Sequence, residues 1–261
     1  MINQNYDKLL QLNLNKMAEL YLVQTNKKQY TELSFDERFA MLIDGELIDK
    51  KNKAIELLRQ KATIKYREAN VAEIEYYPER KLDKNQTIQF SQCNYINEKL
   101  NIIVVGATGS GKTYYVCALA NAAIDKDIRT KYIRLPDLLY ELSAYKVTPK
   151  SFKRKLKTYS RYYLLIIDDW LISPLTEAQQ SDIFELLELR SDTNSTILAS
   201  QFEPSGWIER LKSIAVADAI MDRVIHNSYI VTIQGDKSMR ETKSKNKNKR
   251  CGHLTVAHLN H

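Results

Sequence analysis

Glycine is scarce in this chain, with seven in 261 residues. Cysteine is scarcer: Cys93, Cys117 and Cys251 stand at irregular spacing. An odd, sparse set of thiols excludes a disulfide framework and fits a reducing compartment, so a cytoplasmic location is expected. Long apolar runs are also missing. No stretch of about eighteen apolar residues occurs, which excludes a helical membrane span. The opening MINQNYDKLLQLNLNK has neither the unbroken apolar segment nor the small-residue cleavage site of a secretory signal. The remaining composition, 44% hydrophobic and 27% charged, is that of an ordinary globular protein. The length suits one or two domains with a core of their own.

Lys and Arg outnumber Asp and Glu by 39 to 32, for a net charge of +7. The excess is concentrated. Six basic residues and no acid lie between Pro149 and Arg161: Lys150, Lys153, Arg154, Lys155, Lys157 and Arg161. Seven basic residues and one acid, Glu241, lie between Lys237 and Arg250. Such clusters suit contacts to a phosphate backbone. A solvated helix face and a loose tail account for them equally well when each is taken alone.

Residues 5 to about 70 read as helical. Leu9, Leu10, Leu14, Met17 and Tyr21 form one buried stripe, and a polar loop spans 24–33. Ser34 and Glu37 have capping-box spacing ahead of a second helix carrying Phe39, Leu42, Ile43 and Leu47. Pro78 interrupts a mixed segment, and QTIQFSQCNYINEK after it reads as one short helix. From residue 101 the pattern changes. Buried strands are predicted at 101–105, 131–135, 162–168, 195–200 and 229–233, with helices at 112–126, 136–145, 176–190 and 216–226 between them. Strands apolar on both faces that alternate with helices imply a parallel α/β sheet. Beyond Gly235 the apolar content collapses.

Three of the seven glycines, Gly106, Gly109 and Gly111, fall within GATGSGKT (106–113), directly after the first strand and before a helix. This is a phosphate-binding loop in its required setting. Glycines let backbone N–H groups from about Thr108 to Thr113 converge on phosphate oxygens, and the helix adds its positive end. The cradle therefore comprises Gly106, Thr108, Gly109, Ser110, Gly111, Lys112, Thr113 and Tyr114. Lys112 reaches the β/γ-phosphates and Thr113 offers a hydroxyl to Mg²⁺. A nucleotide site also needs an acid at the end of a neighbouring buried strand, and YYLLIIDD (162–169) supplies two. Asp168 suits the Mg²⁺ shell and Asp169 the polarisation of attacking water. Gln201, just past the fourth strand, suits orientation of that water.

Taken together, LSFDERFAMLIDGE, NIIVVGATGSGKTYYVCALANAA, YYLLIIDDW, STILASQF and ADAIMDRVIHNSYIVTIQGDKSMR resemble the AAA+ ATPases, specifically the IstB-like ATP-binding proteins of insertion sequences, which are similar to the helicase loader DnaC. The resemblance covers about residues 8–242. It implies an α/β P-loop core with a five-stranded parallel sheet flanked by helices, preceded by a small all-α N-terminal domain and without a separate helical lid. It divides the chain into a helical partner- or DNA-binding domain (1–75), an ATPase domain (76–242) and a basic tail (243–261). Lys112 and Thr113 match the Walker A pair, Asp168 and Asp169 the Walker B pair, and Gln201 the sensor position. Arg223 falls where this group carries an arginine finger acting on ATP of a neighbouring subunit. Arg240 matches a terminal motif of unassigned role. Asp169 departs from the common Asp-Glu ending, and its shorter side chain implies slow hydrolysis.

The resemblance implies a transposition helper. It would bind ATP and Mg²⁺, oligomerise as a ring or helical filament on double-stranded DNA, and present that DNA to a partner transposase. DNA contacts are expected from Lys150, Lys153, Arg154, Lys155 and Lys157. Phe152, Tyr159, Tyr162 and Tyr163 lie nearby, and the tyrosines running into the strand are expected in the core. A DnaC-like helicase loader and an ATP-gated DNA scaffold with negligible hydrolysis are the alternatives. A small-molecule kinase would need an acceptor pocket and lid for which no signature exists. Cys251, His253, His258 and His261 match no standard zinc spacing.

Overall fold

The computed structural model describes residues 2–211 and 214–235. Arg240, the basic run 237–250 and the tail residues Cys251, His253, His258 and His261 lie outside the described residues. The chain divides into two compact units, Met1–Leu57 and Leu58–His261.

The first unit contains α1 (Ile2–Gln11), α2 (Asn15–Asn26) and most of α3 (Phe35–Ala62). The stripe expected to run unbroken from Leu9 to Tyr21 is split between α1 and α2. The break falls at Asn13, whose φ of +57° is a left-handed conformation that asparagine tolerates. A single 3₁₀ turn (Lys28–Tyr30) occupies part of the expected loop. The capping box forms as expected: the Ser34 amide donates to Glu37 Oε2 at 2.8 Å and the Glu37 amide to Ser34 Oγ at 3.3 Å. Gly45 lets α3 approach α2, since a Cβ there would lie 2.2 Å from Leu20 Cδ1. Buried Glu46 accepts from the Met17 amide at 2.9 Å, and Gln24 Nε2 donates to the Arg38 carbonyl at 2.9 Å. These bonds satisfy polar groups that burial would otherwise penalise.

The second unit begins within α3, so residues 58–75, assigned by sequence to the helical domain, pack here instead. Ala62, Ile64 and Ala69 are buried, and Asn121 Nδ2 donates to the carbonyls of Arg67 (3.0 Å) and Ala69 (2.7 Å). Two helices, α4 (Lys84–Ser91) and α5 (Asn94–Asn97), replace the single one expected at 86–99. The break is at Cys93, with φ +64°. Then follow β1 (Asn101–Val105), α6 (Lys112–Asp125), β2 (Thr130–Arg134), α7 (Leu135–Ala144), α8 (Pro149–Ser160), β3 (Leu164–Trp170), α9 (Glu177–Glu188), β4 (Ser195–Ser200), α10 (Ile214–Ile225) and β5 (Ser228–Thr232).

The five strands form one parallel sheet in the order β2-β3-β4-β1-β5. Successive side chains face opposite sides. Ile103, Val105, Leu165, Ile167 and Leu198 pack with Leu138, Leu142, Leu156, Ile183, Leu186 and Ile220 of α7 to α10. Ile102, Val104, Leu164, Ile166 and Ile197, all fully buried, take the other face, which α6 covers. The strand beginning at 229 was expected to be buried, but β5 is an edge, and Tyr229 and Ile230 are exposed. Tyr163 precedes β3 and is 54% exposed, so it is not in the core; Tyr159 is. Helix α8, absent from the expected helices, starts with a Thr148–Ser151 capping box and Pro149 in its first turn. No helix of the described residues is long and apolar enough to cross a membrane.

Candidate nucleotide-binding site

The loop GATGSGKT joins the end of β1 to the first turn of α6. Gly109 (φ +85°) and Gly111 (φ +96°) are left-handed, a conformation that costs other residues energy. Gly106 is required for a different reason. A Cβ there would lie 2.3 Å from the Ile233 carbonyl oxygen and 2.8 Å from Ser110 Oγ. Lys112 Nζ bends across the loop and donates to the carbonyls of Gly106 (2.6 Å) and Ala107 (2.9 Å). Burial lowers the pKa of this ammonium, while the nearby Asp168 and Asp169 raise it.

Asp168 and Asp169 end β3 beside the loop, and the structure holds them differently. Asp168 is 1% exposed. Its Oδ2 accepts from Thr113 Oγ1 and from the Tyr132 hydroxyl, both at 2.8 Å, and its Oδ1 accepts from the Asp169 amide at 2.9 Å. Burial, and then the charge of Asp168, push the Tyr132 phenol far above its ordinary range, so it stays a neutral donor. Asp169 is half-buried, has φ +55°, and accepts from Arg134 Nε at 2.8 Å. That hydrogen bond raises the Arg134 pKa. Gln201 directly follows β4, which lies between β1 and β3, so it stands at the same end of the sheet. Ser200 fastens this end: its hydroxyl donates to the Trp170 carbonyl at 3.0 Å and accepts from the Phe202 amide at 3.1 Å.

Three contributors were missed by sequence reasoning. Tyr132 and Arg134 come from β2 and reach the acids only through strand pairing, which sets Arg134 opposite Asp168. Arg80 is buried and ties three segments together. It donates to the carbonyls of Glu75 (2.6 Å) and Ser110 (3.0 Å), and its own carbonyl accepts from the Gln234 amide at 3.0 Å. It closes one side of a pocket beside the loop, which Tyr66, Ile74, Tyr114 and Tyr115 also line. A lone arginine after a proline carries no sequence signal for this task. The basic pairing of β2 with the acids had a weak one: a tyrosine and an arginine in an otherwise buried strand.

Arg223 stands elsewhere. It lies on α10 against the last residue of α9, where Nε donates to Glu188 and the guanidinium lies 5.1 Å from the Phe184 ring centre. The residues around it include Asn101, Thr196 and Asn227, at or next to the starts of β1, β4 and β5. The phosphate loop and both acids are at the strands' ends. One chain thus does not bring Arg223 to its own loop. Lys150, Lys153, Arg154 and Lys157 are exposed at spacings that share one face of α8, and Arg161, which follows the helix, is exposed as well. Lys155 points elsewhere: its ammonium is 2.6 Å from Glu141 and lies over the rings of Tyr145 and Tyr159.

The donor set suits Mg²⁺, which prefers hard oxygen ligands and takes few of them from protein when phosphates supply the rest. Thr113 Oγ1 and Asp168 are already 2.8 Å apart beside the loop.

The model of the IstB-like ATP binding proteins matches residues 7–247. The chain is 33% identical over 205 residues to the insertion sequence IS1162 ATP-binding protein of Pseudomonas fluorescens, covering 78% of this chain and 88% of that one. It is 29% identical over 239 residues to the insertion sequence ATP-binding protein y4pL of Sinorhizobium fredii, covering 92% and 97%. Among solved structures, the DnaC helicase loader superposes with a TM-score of 0.51 at 20% identity, covering 64% of this chain and 97% of that one. With a phosphate loop, paired acids and a five-stranded parallel sheet in place, the chain belongs to the family of IstB-like ATP-binding proteins of insertion sequences.

Proposed function

We propose that this protein is an ATP-hydrolysing transposition helper whose active site is completed between subunits on DNA. The observation that carries this reading is the placement of Arg223 at the opposite end of the sheet from the phosphate loop of its own chain. Arg223, acting as the arginine finger beside Lys112, then reaches the γ-phosphate held by a neighbouring subunit, in a ring or filament. The loop amides from Thr108 to Thr113, with Lys112, cradle the triphosphate. Thr113 and Asp168 hold Mg²⁺, which when bound neutralises charge on the phosphates. Asp169 takes a proton from water that Gln201 orients. Lys150, Lys153, Arg154 and Lys157, from the exposed face of α8, meet the phosphates of duplex DNA, giving weakly sequence-specific, salt-sensitive binding. The N-terminal helical unit, residues 1–57, grips a partner transposase, to which the bound DNA is presented.

The test is DNA-stimulated phosphate release from mixtures of Lys112→Ala and Arg223→Ala proteins, each inactive alone. Restored activity on mixing is the expected result. Normal hydrolysis by Arg223→Ala alone would remove the shared site. A second reading, an ATP-gated DNA scaffold with negligible turnover, is favoured by one observation: the Arg134–Asp169 ion pair occupies the carboxylate that water would need. Wild-type protein that never releases phosphate, even on DNA, would select it.

A further inference from the structure

Asp168 is buried and accepts three hydrogen bonds, which fill three of its four acceptor positions. Oδ2 accepts two hydroxyls, from Thr113 on α6 and Tyr132 on β2, so both of its lone-pair positions are filled. Oδ1 accepts the Asp169 amide and keeps one position open. The two hydroxyls differ in freedom. Thr113 sits in the first turn of α6, at the mouth of the loop, and is half-buried. Tyr132 is 5% exposed in the middle of β2. Its backbone pairs with Ile166, two residues before Asp168, and its carbonyl accepts Thr63 Oγ1 at 2.9 Å. The backbone is thus fixed, and the buried ring has little free space into which to turn away.

We infer that Tyr132 is a positioning residue for the cation site: it fixes the plane of the Asp168 carboxylate so that Oδ1 and Thr113 Oγ1 face the ion together. The inference rests on the Mg²⁺–ATP reading above. A hydroxyl that orients a ligating or water-holding carboxylate acts as outer-shell partners of metal ligands do, and losing one weakens metal binding by about 10- to 100-fold. Oδ2 is closed to direct ligation while Tyr132 holds it, so Asp168 meets the cation only through Oδ1 or through water.

The experiment uses the full chain, wild type and Tyr132→Phe, with a fluorescent ATP analogue titrated with Mg²⁺ from EDTA-buffered solution. The Mg²⁺ concentration giving half-maximal nucleotide retention should rise roughly 10- to 100-fold in the variant, with nucleotide binding in EDTA changed by less than about twofold. An unmoved Mg²⁺ midpoint overturns the inference. So does an equal loss of binding with and without Mg²⁺, which would make Tyr132 merely a core residue. If wild type binds nucleotide without any response to Mg²⁺, the reading beneath the inference fails instead. A second measurement needs no nucleotide: urea unfolding of wild type, Tyr132→Phe, Asp168→Asn and the double variant. Non-additive stabilities are expected for residues in contact, and additive ones would remove the link between Tyr132 and Asp168.

Discussion

Two acids lie near the end of β3, at the C-terminal end of the sheet's strands, and two arginines, Arg190 and Arg223, stand near the opposite end. Arg190 is 1% exposed and, among the described residues, pairs with no acid. Its guanidinium donates to Thr196 Oγ1 (2.9 Å), to the carbonyls of Tyr159 (2.9 Å) and Tyr162 (2.8 Å), and to that of Ser195. It ties the end of α8 to the start of β4. Arg223 lies near the surface with two carboxylates, Glu188 and, at 3.8 Å, Asp222, that a better anion can replace. The acids divide in the same way. Asp168 is enclosed by three donors, whereas Asp169 keeps a single exchangeable partner, Arg134. In both pairs, one group is fastened by several neutral partners, and the other is held only by charged, partly exposed partners that a ligand can displace.

Stability measurements can break this contrast most sharply. Arg190→Leu leaves several buried carbonyls without donors and should cost roughly 3–5 kcal/mol in urea unfolding. Arg223→Ala should leave the unfolding midpoint in place while abolishing DNA-stimulated hydrolysis. Similar unfolding midpoints for the two variants would show that their partners do not distinguish them. A smaller effect is expected at the acids. Arg134→Ala frees Asp169 from an exposed pair, so phosphate release without DNA should rise about two- to fivefold, the range such pairs support. A drop in that basal rate would show instead that Arg134 assists the reaction. The finest test separates lysines on one helix. Lys153→Ala should reduce the slope of log affinity for DNA against log salt by about 0.9, the loss of one phosphate contact. Lys155→Ala should leave the slope nearly unchanged, because its ammonium is held by Glu141.

Much of the second unit could be read from residues alone. Short apolar strands separated by helical periods are a local signal, and GATGSGKT between a strand and a helix has few other uses. The strands at 101–105 and 195–200 fall where expected. Helix α8 escaped notice because lysines outnumber its inward-facing Phe152, Leu156 and Tyr159, although these stand at helical spacing. The edge position of β5 was hidden because Tyr229 and Ile230 are as apolar as residues of a central strand. The split between Leu9 and Tyr21 depended on one asparagine taking a positive φ.

The sequence by itself determined the phosphate loop, the two acids near the end of β3 and the alternation that makes a parallel sheet, because each is encoded by neighbours along the chain. Only the tertiary structure decided which donors those acids receive. Strand order sets β2 beside β3, bringing Tyr132 to Asp168 and Arg134 to Asp169 across 35 or so intervening residues. It also put Arg223 at the far end of the sheet from Lys112. Hydrogen bonds and ion pairs act over a few ångströms in space, and no spacing along the chain records which residues folding will bring that close.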